Sequence, residues 1–197
     1  MTDEIKSARE IAREKIDRLG EVTEEERLRW KYVPEGEMLA NKCLDKGCDL
    51  TDELKGYEEK AKTYLKEGAE SALLASIGLP QNGQSKSRNK RAMDGLKSIK
   101  NNKAAVEEVL NNIRHIFDHY TGQGEQQREQ TYESLKAEFK VKLQQAVEQQ
   151  LGSVAGLEIN VENLPQFKEE WRRASAKMDM QYISLLEEYK KELKAIK

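Results

Sequence analysis

The chain has 197 residues, of which 37% are apolar, 36% are charged and only 6% are aromatic. Ala, Glu, Lys, Arg and Leu together make up about half of it, which is typical of long or supercoiled helices. The formal net charge is -2, so the total charge selects neither a polyanionic nor a polycationic partner. With three Pro, three Phe and two Trp, the sequence lacks the apolar volume of a thick, sheet-rich enzyme core.

The sequence shows no pattern of a targeting or membrane segment. Residues 1–10 carry five charged side chains, where a secretory signal would have an apolar core. The most apolar run, residues 72–79, is far shorter than the roughly 20 residues that cross a bilayer as a helix. Two cysteines without an export signal are typical of a reducing compartment. We therefore expect a cytoplasmic protein without a disulfide framework.

The first eighty residues are predicted to form an N-terminal helical segment. Apolar residues recur at helical spacing over residues 5–19 and predict a first helix. Thr23 and Glu26 have the spacing of a capping box and predict a second helix start. Pro34 has no backbone N–H and predicts a break, so the first fifty residues are expected as short helical pieces. A longer helix is predicted over roughly residues 52–77.

A polar stretch over residues 81–90 is the predicted boundary between two parts of the chain. It is rich in Gly, Ser, Asn and Gln and has no apolar residue, which is typical of a flexible connector. The predicted domains are therefore a helical segment over residues 1–80, a flexible basic connector over residues 81–90, and a three-helix unit over residues 91–197.

The C-terminal unit is predicted to contain coiled-coil-like helices. Apolar residues step by three and four over residues 106–120 and again over residues 132–151, with glycines between the two runs. Residues 157–161 alternate apolar and polar side chains like a strand, but a lone strand needs a partner. A last helix starts near Pro165 and continues without Gly or Pro. The sequence thus predicts an all-α fold, an elongated multi-helix bundle with at most one short β-strand.

The amino-terminal block resembles the start of a known group of sequences. Residues 7–15 read Ser-Ala-Arg-Glu-Ile-Ala-Arg-Glu-Lys, and Leu19-Gly20 and the Thr23–Glu26 cap follow them. This arrangement resembles an uncharacterised family of short helical bacterial proteins. The resemblance implies a bacterial, cytoplasmic origin, and it implies no functional residue because such a family has no assigned activity.

The two cysteines and the two histidines of the chain form two close pairs, Cys43 with Cys48 and His115 with His119. The histidines lie one helical turn apart, and tetrahedral zinc binds two thiolates and two imidazoles. A zinc site formed by these four residues is one hypothesis. The alternative is that the histidines, which lie away from the apolar stripe of their helix, are surface residues and the cysteines small core residues. No other cofactor is implied.

The most positive stretch of the sequence has seven basic residues against one acid. The basic residues are Lys86, Arg88, Lys90, Arg91, Lys97, Lys100 and Lys103. Such a patch could contact nucleic-acid phosphates without reading the sequence, because no aromatic stacking group or reading helix accompanies it. The alternative is a soluble linker that runs into a helix, and nucleic acid is not the partner that we expect.

The last helix carries more apolar residues than its shorter neighbours can cover, so self-association is expected. The predicted interface residues are Trp171, Met178, Tyr182, Leu185, Tyr189 and Leu193. Core packing is the alternative use of the aromatic residues. No pattern of a nucleophile with its base, or of a phosphate-binding glycine loop, stands out. We expect a non-enzymatic helical interaction or structural protein, homo-oligomeric with a dimer favoured, whose other protein partner is unidentified.

Overall fold

The computed structural model describes residues 23–151 and 160–196, and these residues are helical without a strand. The α-helices are α1 (Glu24–Lys46), α2 (Leu50–Leu54), α3 (Glu59–Ser76), α4 (Gly83–Ile99), α5 (Lys103–Thr121), α6 (Gln123–Leu151) and α7 (Pro165–Ala195), with a 3-10 turn at Val161–Asn163. The predicted all-α, multi-helix fold is confirmed. The described residues contain no helix with both the length and the hydropathy that a membrane span requires. The helix predicted over residues 5–19 lies outside those ranges.

Two units make up the chain, residues 1–73 and residues 74–197, with the division inside α3. In the first unit, α1 begins at the predicted capping box: the Thr23 hydroxyl accepts from the Glu26 N–H at 3.2 Å. The break predicted at Pro34 is wrong, because α1 continues through it to Lys46. Pro34 is exposed, and so is Trp30, the residue four positions earlier whose carbonyl loses its N–H partner there.

Helices α1 and α3 cross with their backbones in contact. A methyl group added at Gly36 would overlap the Leu65 carbonyl, and one added at Gly68 would overlap the Val33 carbonyl. Leu65 and other small or apolar side chains around the crossing are fully buried. The close approach therefore requires glycine at both positions.

A disulfide joins Cys43, in the last turn of α1, to Cys48 just beyond it. The chain reverses between them at Gly47, whose left-handed backbone (φ 74°) ends α1 and brings the two Cα atoms to 4.5 Å. This bond differs from the expectation of a chain without a disulfide framework in a reducing compartment. The turn at Gly47 brings the two cysteines together.

In the second unit, the segment predicted as a flexible connector is helical from Gly83 onward. Asn82 caps α4: its side-chain oxygen accepts from the Ser85 N–H at 2.8 Å, and the Ser85 hydroxyl oxygen accepts from the Asn82 N–H at 3.0 Å. The apolar side chains in the second half of α4 are buried. The flexible connector over residues 81–90 is thus wrong, and the region after residue 90 belongs to a four-helix unit instead of a three-helix one.

The core of this unit lies among α4, α5 and the C-terminal half of α7. Its buried side chains include Leu96, Val106, Leu110, Ile113, Leu186 and Leu193. The Lys100 ammonium donates to the Ile196 carbonyl at one end of α7, and Tyr182 meets Tyr120 farther along. The C-terminal half of α7 therefore runs antiparallel to α5. Its N-terminal half runs antiparallel to α6, so α7 packs against both helices.

The strand-like segment forms no strand in the part that the structure describes. Asn160 caps the 3-10 turn by accepting from the Glu162 N–H at 3.1 Å, and Val161 is buried in that turn. Residues 157–159 lie outside the described residues.

Candidate functional site

The α6–α7 hairpin is the candidate site, and it begins at a close contact beside the junction of α5 and α6. A methyl group added at Gly124 would lie 2.7 Å from the Tyr182 hydroxyl, so a side chain at this position would require the Tyr182 ring to shift. The Tyr182 hydroxyl lies 2.9 Å from Nδ1 of His119, and its ring packs edge-on against Tyr120. These contacts anchor the middle of α7 against the end of α5.

An ion pair then sets the register of α6 against α7. The Arg128 guanidinium lies over the Tyr120 ring, 4.1 Å from its centre, and donates to the Tyr120 carbonyl at 3.0 Å. Arg128 faces Asp179 on α7 at 3.9 Å, and both side chains are more than four-fifths buried. Burial and the nearby Asp179 carboxylate raise the pKa of Tyr120. Removing either charge would leave the other buried without its partner, so the pair favours this alignment of the two helices.

Farther along the hairpin, four aromatic side chains form a ladder between α6 and α7. Tyr132 lies edge-on to Phe167 and Trp171, with ring centres 5.4 and 5.0 Å apart, and Phe139 lies 5.5 Å from Phe167. Phe167 is buried, whereas the other three rings are only half-buried. The ladder therefore keeps one side open to solvent.

The apolar stripe of α6 continues beyond its contact with α7. Phe139 already meets Phe167, only two residues from the start of α7, so the last ten residues or so of α6 extend about 15 Å past it. Leu143 and Val147 continue the stripe there and are half-buried. Within residues 123–149, Gly124 is the one residue of α6 that is buried. The hairpin is two helices thick as far as the first turn of α7, and beyond it α6 continues without α7.

The predicted interface residues take different places. Leu193 is fully buried among the core residues, so it is wrong as an interface residue. Trp171 and Tyr182 pack inside the hairpin, and Met178 lies 3.8 Å from the Thr131 hydroxyl. Tyr189 is half-buried, and Leu185 is 46% exposed. The helical spacing places these residues on one stripe of α7, and most of that stripe serves as internal packing.

The predicted zinc site does not form in this structure. The disulfide occupies both sulfur atoms, and thiolates are the form that binds zinc. His115 is exposed and His119 bonds to Tyr182. Among the described residues, no cluster of three or more His, Cys, Asp or Glu side chains could hold a metal ion.

The predicted basic patch is divided between the surface and the core. Lys86, Lys90 and Arg91 are exposed on α4, Lys103 is exposed at the start of α5, and Arg88 is half-buried. The other two lysines serve the fold. Lys97 pairs with Glu107 at 2.8 Å. Lys100 is buried against the Ile196 carbonyl, where the end of α7 favours a cation, so it is wrong as a phosphate contact.

The Arg128–Asp179 pair and the Gly124–Tyr182 contact were not among the sequence-based candidates. Their local signals are weak, because Arg128 stands in a Gln-rich run and Asp179 in an ordinary charged helix. Only the antiparallel alignment of α6 and α7 brings them together.

Residues 51–195 match a family model described as a family of unknown function, DUF6657. The chain therefore belongs to that family, and the match includes the whole α6–α7 hairpin. It does not include residues 7–26, which carry the sequence resemblance described above. No curated protein and no solved structure matches the chain significantly. The expectation of an uncharacterised helical family is confirmed, and the family description assigns no chemistry.

Proposed function

We propose that this member of the DUF6657 family is a non-enzymatic helical protein that acts through self-association, with a dimer as the favoured assembly. The observation that carries the proposal is the two-helix thickness of the α6–α7 hairpin, whose apolar stripe is left half-buried. Leu135, Leu143 and Val147 on α6 and Trp171 and Met178 on α7 belong to that stripe.

A second copy of the hairpin is the partner whose shape and chemistry fit best. Two antiparallel helices bury their stripes fully when two more helices cover them, as in a four-helix bundle. Two-fold symmetry supplies those helices from the same surface of another chain. Full burial of a Leu or Val side chain is worth roughly 1.5–3 kcal/mol, so several half-buried side chains together favour association.

The bacterial, cytoplasmic origin is part of the proposal. It rests on the resemblance of residues 7–26. The Cys43–Cys48 disulfide argues against the cytoplasmic part of this proposal, because reducing compartments keep thiols free.

Two matched double variants on α6 test the proposed dimer. Leu143→Glu with Val147→Glu places two charges on the stripe, whereas Gln145→Glu with Gln149→Glu places two charges at exposed positions of the same helix. We expect the first variant to sediment as a monomer at about 100 μM, where a micromolar interface would be nearly saturated, and the second to keep the mass of the unmodified chain. Equal masses for the two variants would overturn the assignment of this surface.

Helical content separates this result from misfolding. Leu143 and Val147 lie beyond the α6–α7 contact, so the monomeric variant should retain the far-UV circular dichroism of the unmodified chain at equal concentration. A loss of helix together with the loss of mass would mean that the stripe is internal core, and it would contradict the proposal.

A further inference from the structure

A cleft of about 410 Å³ lies between α4 and α5 in the second unit. Its apolar lining comes from Met93 of α4, Phe117 of α5 and Pro80 of the preceding loop. Pockets that bind small molecules commonly have volumes of roughly 300–1,000 Å³ and apolar walls with a few polar groups. The cleft therefore has the size and surface of a site for a small molecule.

Hydrogen bonds hold two walls of the cleft in place. Asn89 is 3% exposed, and its side chain accepts from the Gly78 N–H at 3.0 Å and donates to the Gly78 carbonyl at 2.6 Å. These two hydrogen bonds fix the loop that carries Pro80 against α4. On the opposite wall, Arg114 donates to Glu107 at 2.7 Å. A ligand would thus meet a largely preformed site, which lowers the entropic cost of binding.

Charges of both signs line the cleft. Lys86, Lys90 and Asp94 project from α4, and Asp118 projects from α5. The side chains of these four residues form no hydrogen bond or ion pair with any other part of the described chain. Two ammonium groups and two carboxylates are therefore available to a ligand at one apolar surface.

We propose that this cleft binds a small zwitterion with an apolar body, of the size of an aromatic amino acid. Its anionic group pairs with Lys86 and Lys90, its ammonium group pairs with Asp94 and Asp118, and its apolar body packs on Met93 and Phe117. A ligand with one charge alone would satisfy one pair and face like charge from the other. Charge complementarity thus selects a zwitterion over a simple anion or cation.

Three probes with the same aromatic ring and different charges test the proposal. They are L-phenylalanine, 3-phenylpropanoate and 2-phenylethylamine, each titrated to about 10 mM against the full chain, a range that detects millimolar binding. The readout is the ¹³C-methyl resonance of Met93, assigned with Met93→Leu. We expect phenylalanine to shift this resonance with an affinity at least about fivefold higher than either singly charged probe.

Two charge variants show whether the assigned groups do the binding. Lys86→Gln with Lys90→Gln should weaken the binding of phenylalanine about tenfold and should not weaken the binding of 2-phenylethylamine. Asp94→Asn with Asp118→Asn should weaken the binding of phenylalanine and should not weaken that of 3-phenylpropanoate. All four side chains are exposed, so folding is expected to be unaffected, and Lys140→Gln on α6 is the matched control.

The proposal is overturned by no shift of Met93 with phenylalanine, by equal affinity for all three probes, or by unchanged affinity in both charge variants. None of the residues in this test belongs to the α6–α7 stripe, so failure here and failure of self-association are separate results.

Discussion

Two glycines determine how closely the helices of the first unit approach each other. Glycine in a helix interior costs about 1 kcal/mol relative to alanine, so a helix without close neighbours would be more stable with alanine. At Gly36 and Gly68 the facing backbone carbonyls of Leu65 and Val33 leave no space for a methyl group. Because backbone cannot move aside like a flexible side chain, the crossing of α1 and α3 reverses the usual preference.

Gly68→Ala is therefore expected to lower the free energy of unfolding by about 1–3 kcal/mol, the usual cost of overpacking. Gly56→Ala is the matched control, because a methyl group there meets no atom within 4 Å. It should be neutral or stabilising by up to about 1 kcal/mol. Urea unfolding followed by circular dichroism measures both, and equal midpoints for the two variants would refute the close crossing.

The Cys43–Cys48 disulfide is expected to stabilise the first unit. In the chain-entropy model, closing so short a loop raises the free energy of the unfolded chain by roughly 2 kcal/mol. Replacing both cysteines by serine should lower the free energy of unfolding by about that amount. Alkylation of the denatured protein, purified without reductant, should label no thiol.

The same labelling, carried out by rapid alkylation inside intact cells, shows whether the disulfide is already present in the cell. It therefore tests the proposed cytoplasmic location. Two labelled thiols in cells would support a reducing compartment and place disulfide formation after lysis. No labelled thiol in cells would contradict the location.

Helix starts show how far local sequence patterns predict the elements. The Thr23–Glu26 box was predicted and is present, since its spacing is a strong local signal. The Asn82–Ser85 box is a helix start of the same kind. The residues that follow it are polar because the first buried residue of α4 is Asn89, and their polarity predicted a connector. At Pro34 the sequence predicted a break, but α1 continues through it, because a helix tolerates proline where the carbonyl that loses its N–H partner can bond to water. Tertiary contacts thus decided what local patterns left ambiguous.

Asn82→Ala should destabilise the start of α4. It removes the acceptor for the Ser85 N–H, and loss of an N-cap costs about 1 kcal/mol. Gln81→Ala, at the neighbouring exposed position, should leave the free energy of unfolding unchanged. Hydrogen exchange at the first amides of α4 should accelerate in the first variant alone, and the same rate in both would show that the cap does not form.

Glu107 makes the pairing of α4 with α5 sensitive to acid. Ion pairs with Lys97 and Arg114 lower the pKa of Glu107 from its ordinary value of 4.5. The folded chain therefore binds this proton more weakly than the unfolded chain, so the stabilisation is present at neutral pH and is lost as the pH falls through and below that value. Glu107→Gln should flatten the loss of stability between pH 6 and about pH 3.5.

Glu108→Gln is the control for the acid titration, because Glu108 is an exposed neighbour on the same helix. Its unfolding midpoint in urea should fall with acid as steeply as that of the unmodified chain. Parallel pH profiles for Glu107→Gln and the unmodified chain would remove Glu107 from this account.

For the whole molecule, the sequence was sufficient to predict the all-α class, and the structure was needed to pair the helices. Composition and helical periodicity are local properties, and they hold over most of the described chain. The Arg128–Asp179 pair and the Gly124–Tyr182 contact join residues far apart in sequence, and no local pattern specifies such partners. For the same reason, the stripe on α7 was assigned to an interface although Leu193 belongs to the core.

Sedimentation equilibrium of the unmodified chain between about 1 and 100 μM measures whether the protein self-associates. Self-association through the open side of the α6–α7 hairpin requires a mass that rises with concentration, from 22.7 kDa toward twice that value. A mass that stays at 22.7 kDa over the whole range would contradict self-association and leave the half-buried stripe as part of the monomer's own surface.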